Sequence, residues 1–228
     1  MSAPAVATNP PGPRPQHRLP AVVTLDAAAT GRLLARLAAV GVAPYPLVSW
    51  GTVAGYRHLL RAAPPLVLLD LAGPADRRAV DRLVRGCRLL APVAVLTAAG
   101  TDPVPALEAG AVDVMNREAP ALELAARLRA DLRRPSPVPA RSLRITGGSA
   151  AQFLLLDLLG GADGPVCCHE LRWLLGRPGH PLPLPTLKLR MQRLQPLLRG
   201  TGLTLHSATE YGLATYRLGP APTKGSDV

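Results

Sequence analysis

The sequence predicts an α/β fold: a doubly wound parallel sheet, followed by a smaller helical domain that closes on a β-hairpin. Three observations carry this. Between residues 19 and 134, short apolar runs alternate five times with helix-like patterns. The segment "LRRPSPVPARS" (132–142) then breaks the periodicity, and its Pro residues make an extended, semi-rigid linker. Beyond it, three helical segments precede two alternating strands around a turn.

The elements follow in order. "PAVVTL" (20–25) is a strand, and "AATGRLLARLAAVG" is a helix ending at Gly41. "YPLVSW" leads to a helix over roughly 53–62. "LVLLDL" (66–71) is a continuous apolar run ending in an acid, as expected of a parallel strand buried on both faces. A helix over 76–90, the strand "PVAVLT" (92–97), the helix "VPALEAG", the strand "AVDVM" (111–115) and the helix "APALELAARLRADLRR" complete the first domain. Doubly wound sheets collect function at the carboxyl ends of their strands, where Asp26, Asp70 and Thr97 fall.

In the second domain, Ser149 and Gln152 form a capping box for the helix "SAAQFLLLDLLGG". "CHELRWLLG" (168–176) is a short helix, "RPGHPLPL" a loop, and "PTLKLRMQRLQPLLRG" (185–200) a third helix. "LTLHS" and "LATYRL" flank "ATEYG" as a hairpin. Helix–helix–helix–hairpin is the order of a winged helix-turn-helix. The expected divisions are an arm at 1–18, a first domain at 19–134, a linker at 135–140, a second domain at 141–219 and a tail at 220–228.

At 100° per residue, Leu187, Met191, Leu194 and Leu198 of the third helix share one stripe, which is its core face. Leu189 lies opposite, flanked by Gln192 and Arg193, with Lys188 at the edge. Arg193 suits a guanine edge, Gln192 adenine or phosphate, and Leu189 a thymine methyl. The plainer alternative is a solvated basic face carrying one exposed Leu.

The charge balance favours an anionic partner. There are 26 Lys+Arg against 15 Asp+Glu, a net of +11, and almost all of the cations are Arg. Codon bias toward Arg would write a similar composition. No apolar stretch has the length and freedom from charge and Pro that a membrane span needs, and the N-terminus lacks the apolar run of a signal peptide. Three cysteines, two of them adjacent, are a poor disulfide framework and fit a reducing cytoplasm. No Ser/His/Asp or Cys/His order stands out, so an enzyme is not expected. Cys167, Cys168, His169 and Glu170 invite a metal reading, but adjacent cysteines do not share a tetrahedral site comfortably.

On these residues the chain resembles the OmpR/PhoB family of response regulators. "TLKLRMQRLQPLL" resembles the recognition helix, through Thr186, Leu187, Leu189, Arg193, Leu194 and Leu198. The resemblance places DNA contacts on Thr186, Lys188, Leu189, Arg190, Gln192, Arg193 and Gln195. The wing "HSATEYG" lacks the usual Arg and leaves His206 or Thr209 for phosphate. "TYRL" (215–218) resembles the closing strand, and the preceding strand platform shortens to "SLRIT". Pro196 departs from the pattern and predicts a kink or stop. The family contacts RNA polymerase through the loop at 176–185.

In the first domain the resemblance implies a CheY-like receiver. Asp70 takes the place of the phosphorylated aspartate and Thr97 that of the switch threonine. "ALEAGAVDVMNRE" puts Arg117 where the family has Lys, Glu118 where it has Pro and Val114 where it has an aromatic. Asp26 alone remains of the paired acids that hold Mg²⁺. Mg²⁺ wants several oxygen ligands, and planar Arg does not replace the compact ammonium beside an acyl phosphate. The expectation is therefore an atypical, phosphorylation-independent receiver with no cofactor, Mg²⁺ entering only if Asp70 is phosphorylated. Glu123, Arg127 and Arg129 would pair across a homodimer.

The resulting expectation is a cytoplasmic regulator that binds promoter DNA. Its alternatives are a conventional phosphorylated regulator, or an interaction module that contacts the transcription machinery without reading DNA.

Overall fold

The computed structural model describes residues 19–73, 76–134 and 147–221. The expected arm, the linker, the "SLRIT" strand and the tail beyond residue 221 lie outside the described residues.

Five strands, β1 (Ala21–Thr24), β2 (Leu47–Ser49), β3 (Val67–Asp70), β4 (Val93–Thr97) and β5 (Asp113–Asn116), form one parallel sheet ordered β2-β1-β3-β4-β5. Between and after them run α1 (Ala27–Ala38), α2 (Val53–Ala62), α3 (Arg77–Cys87), α4 (Val104–Glu108) and α5 (Ala121–Leu132). Because strand side chains alternate in direction, each face gathers its own set. Val22, Leu68, Ala94 and Leu96 meet Leu33, Leu37, Leu124 and Leu128 of α1 and α5. Val23, Leu69 and Val95 pack in a second cluster with Leu59 of α2 and Leu83 and Val84 of α3. This parallel sheet with flanking helices fits a CheY-like receiver domain. Strand order reverses between β1 and β3, so the loops after these two strands form the switch-point crevice. Asp26 and Asp70 both stand there.

The second half contains α6 (Ala150–Gly161), β6 (Val166–Cys167), α7 (Cys168–Leu175), α8 (Leu184–Gln192), α9 (Gln195–Leu198), β7 (Leu203–Glu210) and β8 (Leu213–Pro220). The expected capping box forms: Ser149 Oγ accepts from Gln152 N, and Gln152 Oε1 accepts from Ser149 N. The hairpin turns on Tyr211 and Gly212, both at positive φ (50° and 77°), as a two-residue turn that follows strand twist requires. Residues 166–167, not expected as a strand, add an antiparallel edge to β8, giving the order β6-β8-β7.

The helix foreseen across 185–200 stops near Pro196, as that residue's departure from the pattern predicts, and is two pieces. Leu194 N reaches back only to Met191 O, tightening the turn, and α9 begins at Gln195 with Pro196 in its first turn. A first-turn N–H has no intrahelical partner, so Pro196 starts a short terminal turn at little cost rather than kinking a long helix. The start of the expected tail is corrected, since Pro220 pairs with Leu203 as part of β8 and Ala221 N donates to Gly202 O at 2.9 Å.

Helix α6 gives little polar face to water beyond Gln152 and Asp157: Leu154, Leu155, Leu156, Leu158 and Leu159 are all buried. A helix this apolar must be covered on opposite sides. Here β8 covers one side and α2 of the first half another, while α7 packs on α3. One continuous apolar cluster therefore runs from β1, β3 and β4 to α6, α7, α8 and Tyr216.

Candidate functional site

The switch-point crevice is closed by side chains. Asp70 ends β3 with no solvent exposure. Its Oδ1 accepts from Arg117 Nε at 2.9 Å and from Ala72 N at 3.1 Å. Its Oδ2 accepts from Thr30 Oγ1 at 2.6 Å and from Arg117 Nη2 at 3.4 Å. Arg117 Nη2 also donates to Ala29 O at 2.7 Å, tying β5 to the first turn of α1. The fork of a guanidinium makes this double attachment possible, where an ammonium would reach as a single point.

Asp26 is exposed and serves α1 as its N-cap, with Oδ1 accepting from Ala28 N and Ala29 N at 3.0 Å each. Thr97 is buried at the end of β4, and its carbonyl accepts from Arg117 N at 2.8 Å. The structure thus brings Asp70 and Arg117 together, with Thr97 joined through the backbone, and leaves Asp26 in a capping role. These residues do not fit Mg²⁺, because both Asp70 oxygens are engaged and a guanidinium holds the ground a cation would need. No group of three His, Cys, Asp or Glu among the described residues could hold a metal ion. Thr30 is the member sequence reasoning missed. Its signal was a hydroxyl four residues after Asp26, on the same face of α1.

On the last strand and helix, Arg127 grips both oxygens of Asp113 and donates to Val114 O at 3.0 Å. The bond to Asp113 raises the Arg127 pKa further. Arg129 Nη2 donates to Val40 O at 2.8 Å. Both cations expected to cross a dimer interface are therefore engaged within the chain, while Glu123 stays exposed. The faces of α4 and α5 carry apolar exposure: Val104, Leu107 and Leu122 flank the edge strand β5. Nearby, Asp131 is buried, with Oδ1 3.2 Å from Arg134 Nη1 and Oδ2 unpartnered among the described residues. Burial raises its pKa, helped by Asp113 and opposed by Arg134 and Arg127.

In the second half, Leu187, Met191, Leu194 and Leu198 are buried, while Lys188, Leu189, Gln192 and Arg193 are exposed and Thr186 and Arg190 half-buried. The angular reading of the helix is the observed one. A cleft of about 860 Å³ separates α8–α9 from the hairpin, and Lys188, Gln192, Gln195 and Thr209 line it together. Arg199 and Ser207 also line it; sequence reasoning passed over both, though a cation just after a helix end was a signal for Arg199. His206 is exposed but does not line the cleft, its ring lying beside Gly219, where an added Cβ would meet it at 3.0 Å. Cys167 and Glu170 close the N-terminal turn of α7, with Glu170 Oε2 accepting from Cys167 N at 3.3 Å, and Cys168 is buried.

No protein-family model matches the chain, and no curated protein matches it. Solved structures that match include response-regulator receiver domains, over about half of the chain. The receiver domain of RstA from Klebsiella pneumoniae is 28% identical over 50% of this chain and 97% of its own, with a TM-score of 0.37. A response regulator from Chloroflexus aurantiacus is 22% identical over 50% of this chain and 99% of its own, with a TM-score of 0.36. An atypical orphan response regulator described as having a phosphorylation-independent mechanism is 19% identical over 52% of this chain and 98% of its own, with a TM-score of 0.37. Among the described residues, no helix is long and apolar enough to cross a membrane.

Proposed function

We propose that the chain is a cytoplasmic, DNA-binding transcriptional regulator of the OmpR/PhoB type, with a winged helix-turn-helix second domain. Its receiver no longer accepts a phosphoryl group and serves dimerisation. The observation that carries the reading is the cleft beside α8. Lys188, Gln192, Gln195, Arg199 and Thr209 put donors along both of its walls, while Leu189 and Arg193 stand exposed on the helix. That arrangement suits a duplex whose backbone runs in the cleft and whose base edges meet α8. The +11 charge supplies the long-range attraction.

The receiver reading rests on Asp70. Phosphorylation would require breaking its bonds to Arg117, Thr30 and Ala72 N, then placing Mg²⁺ beside a guanidinium. For the dimer, Val104, Leu107 and Leu122 are the contact, in place of the ion pairs expected of Arg127 and Arg129. The loop between α7 and α8 is the surface for RNA polymerase.

One observation favours the interaction-module alternative. The hairpin tip carries the fully exposed Tyr211 beside Glu210, a pairing better suited to a protein than to a phosphate backbone. Gel shifts of the full-length chain on promoter fragments separate the two: sequence-specific binding that Arg193→Ala weakens supports the DNA reading, and its absence favours the module.

A further inference from the structure

We propose that Trp50 and Gly51, in the first half, are positioning residues for α8: they seat the turn that follows α7 and thereby fix how the helix is presented. The functional consequence rests on the DNA-reading proposal; the seat itself does not.

Trp50 is buried, and its indole Nε1 donates at 3.1 Å to Trp173 O in the last turn of α7. Terminal helix carbonyls lack i+4 partners; Trp173 O also accepts from Gly176 N at 3.4 Å, so the indole is its nearer donor. Gly51, at φ +77°, lies so close to Gly176 that a Cβ would stand 2.5 Å from the Gly176 carbonyl oxygen. Gly176 in turn has no room for a Cβ, which would fall 2.4 Å from His180 O and 2.7 Å from Leu182 N. Three backbone segments therefore stack at one point.

The turn is tied on its far side as well. Arg177 and His180 exchange backbone bonds at 3.0 and 2.9 Å. Leu182 N donates to Arg172 O at 2.8 Å, and Arg172 Nε donates to Leu182 O at 2.7 Å. Leu182 stands two residues before α8 begins. The seat is rigid from behind: Gly51 N donates to Tyr56 Oη at 2.8 Å, and the Tyr56 ring stands edge-on to Trp50.

It is also fastened to the closed crevice. Trp50 N donates to Thr24 O at 2.8 Å, Thr24 and Thr30 hydroxyls share a bond at 2.7 Å, and Thr30 holds Asp70. The Asp70–Arg117 pair and the presentation of α8 are thus built on one hydrogen-bonded frame.

Hydrogen exchange of the full-length chain tests the seat. Trp50→Phe removes the indole donor and little volume. The expected result is amide exchange about tenfold faster across residues 177–191, with protection of β3 and β4 unchanged. Gly51→Ala should do the same through its clash. Unchanged exchange across 177–191 in both variants overturns the proposal. Should either variant lose its native circular dichroism, native-state exchange of the wild type decides. Amides of 177–182 opening together with those of α2 support the seat, and opening independently of α2 overturns it. Specific DNA affinity should fall about tenfold in Trp50→Phe. A wild type that binds no specific DNA would sink the DNA reading alone and leave the exchange result to judge the seat.

Discussion

Arg117 and Asp70 form a buried ion pair at 2.9 Å at the carboxyl end of β3. With its side chain 14% exposed against none for Asp70, Arg117 acts as an internal plug rather than a surface charge. Removing it strands a buried carboxylate, which costs about 3–5 kcal/mol. Arg117→Ala should lower the thermal midpoint by many degrees, measurable by differential scanning calorimetry.

The plugged receiver proposed above predicts a chain inert to small-molecule phosphodonors. Incubation with acetyl phosphate and Mg²⁺ should leave the intact mass unchanged. An Asp70-dependent adduct in good yield would refute the plugged receiver.

Asp131 gives a pH signature. Burial raises its folded-state pKa above the unfolded value, so its ionised form opposes folding. Wild-type stability should therefore gain from this group as pH falls through the folded pKa, and the gain is complete below the unfolded pKa. Asp131→Asn should be as stable as wild type or more so at pH 7, and the difference should vanish toward pH about 3.5. Midpoints of the two proteins measured across that range check the sign.

The apolar exposure beside β5 predicts a contact between copies. Leu122 is 70% exposed on α5, and Leu107 48% exposed on α4. In sedimentation velocity, the wild type should run as a dimer, and Leu122→Asp should shift it to monomer. A monomeric wild type would contradict the proposed interface.

On α8, Lys188 and Arg193 should separate by role. Lys188→Ala should weaken binding to all duplexes alike and reduce the salt slope by about one. Arg193→Ala should cost about 1–3 kcal/mol on the preferred site and relax base choice there. Titrations at several salt concentrations distinguish the two patterns.

Much of this architecture is written locally. The alternation of apolar runs fixes five strands, and the bounds of α2 fall where the sequence places them, because Ala63 ends the helix at positive φ immediately before two prolines. The core stripe of α8 follows from angle alone. Pro196 was legible as a breaker, but its placement in a fresh helical turn depended on the tertiary course of the chain. What stayed hidden is long-range: Trp50 and Trp173, or Thr30 and Asp70, meet only after folding, and neither pair has a spacing that announces it. The shared core had one clue, the scant polar face of α6. Arg127 shows another long-range partner. The resemblance placed it in a cross-subunit ion pair, and within the chain it is held by Asp113.

Selection from a random duplex pool by the full-length chain, repeated with Arg193→Ala, decides whether α8 reads base sequence. The wild type should enrich one sequence and bind it at least about tenfold more tightly than Arg193→Ala does, with affinity falling steeply as salt rises. A pool with no enriched sequence, or equal enrichment by both proteins, would contradict base reading by α8.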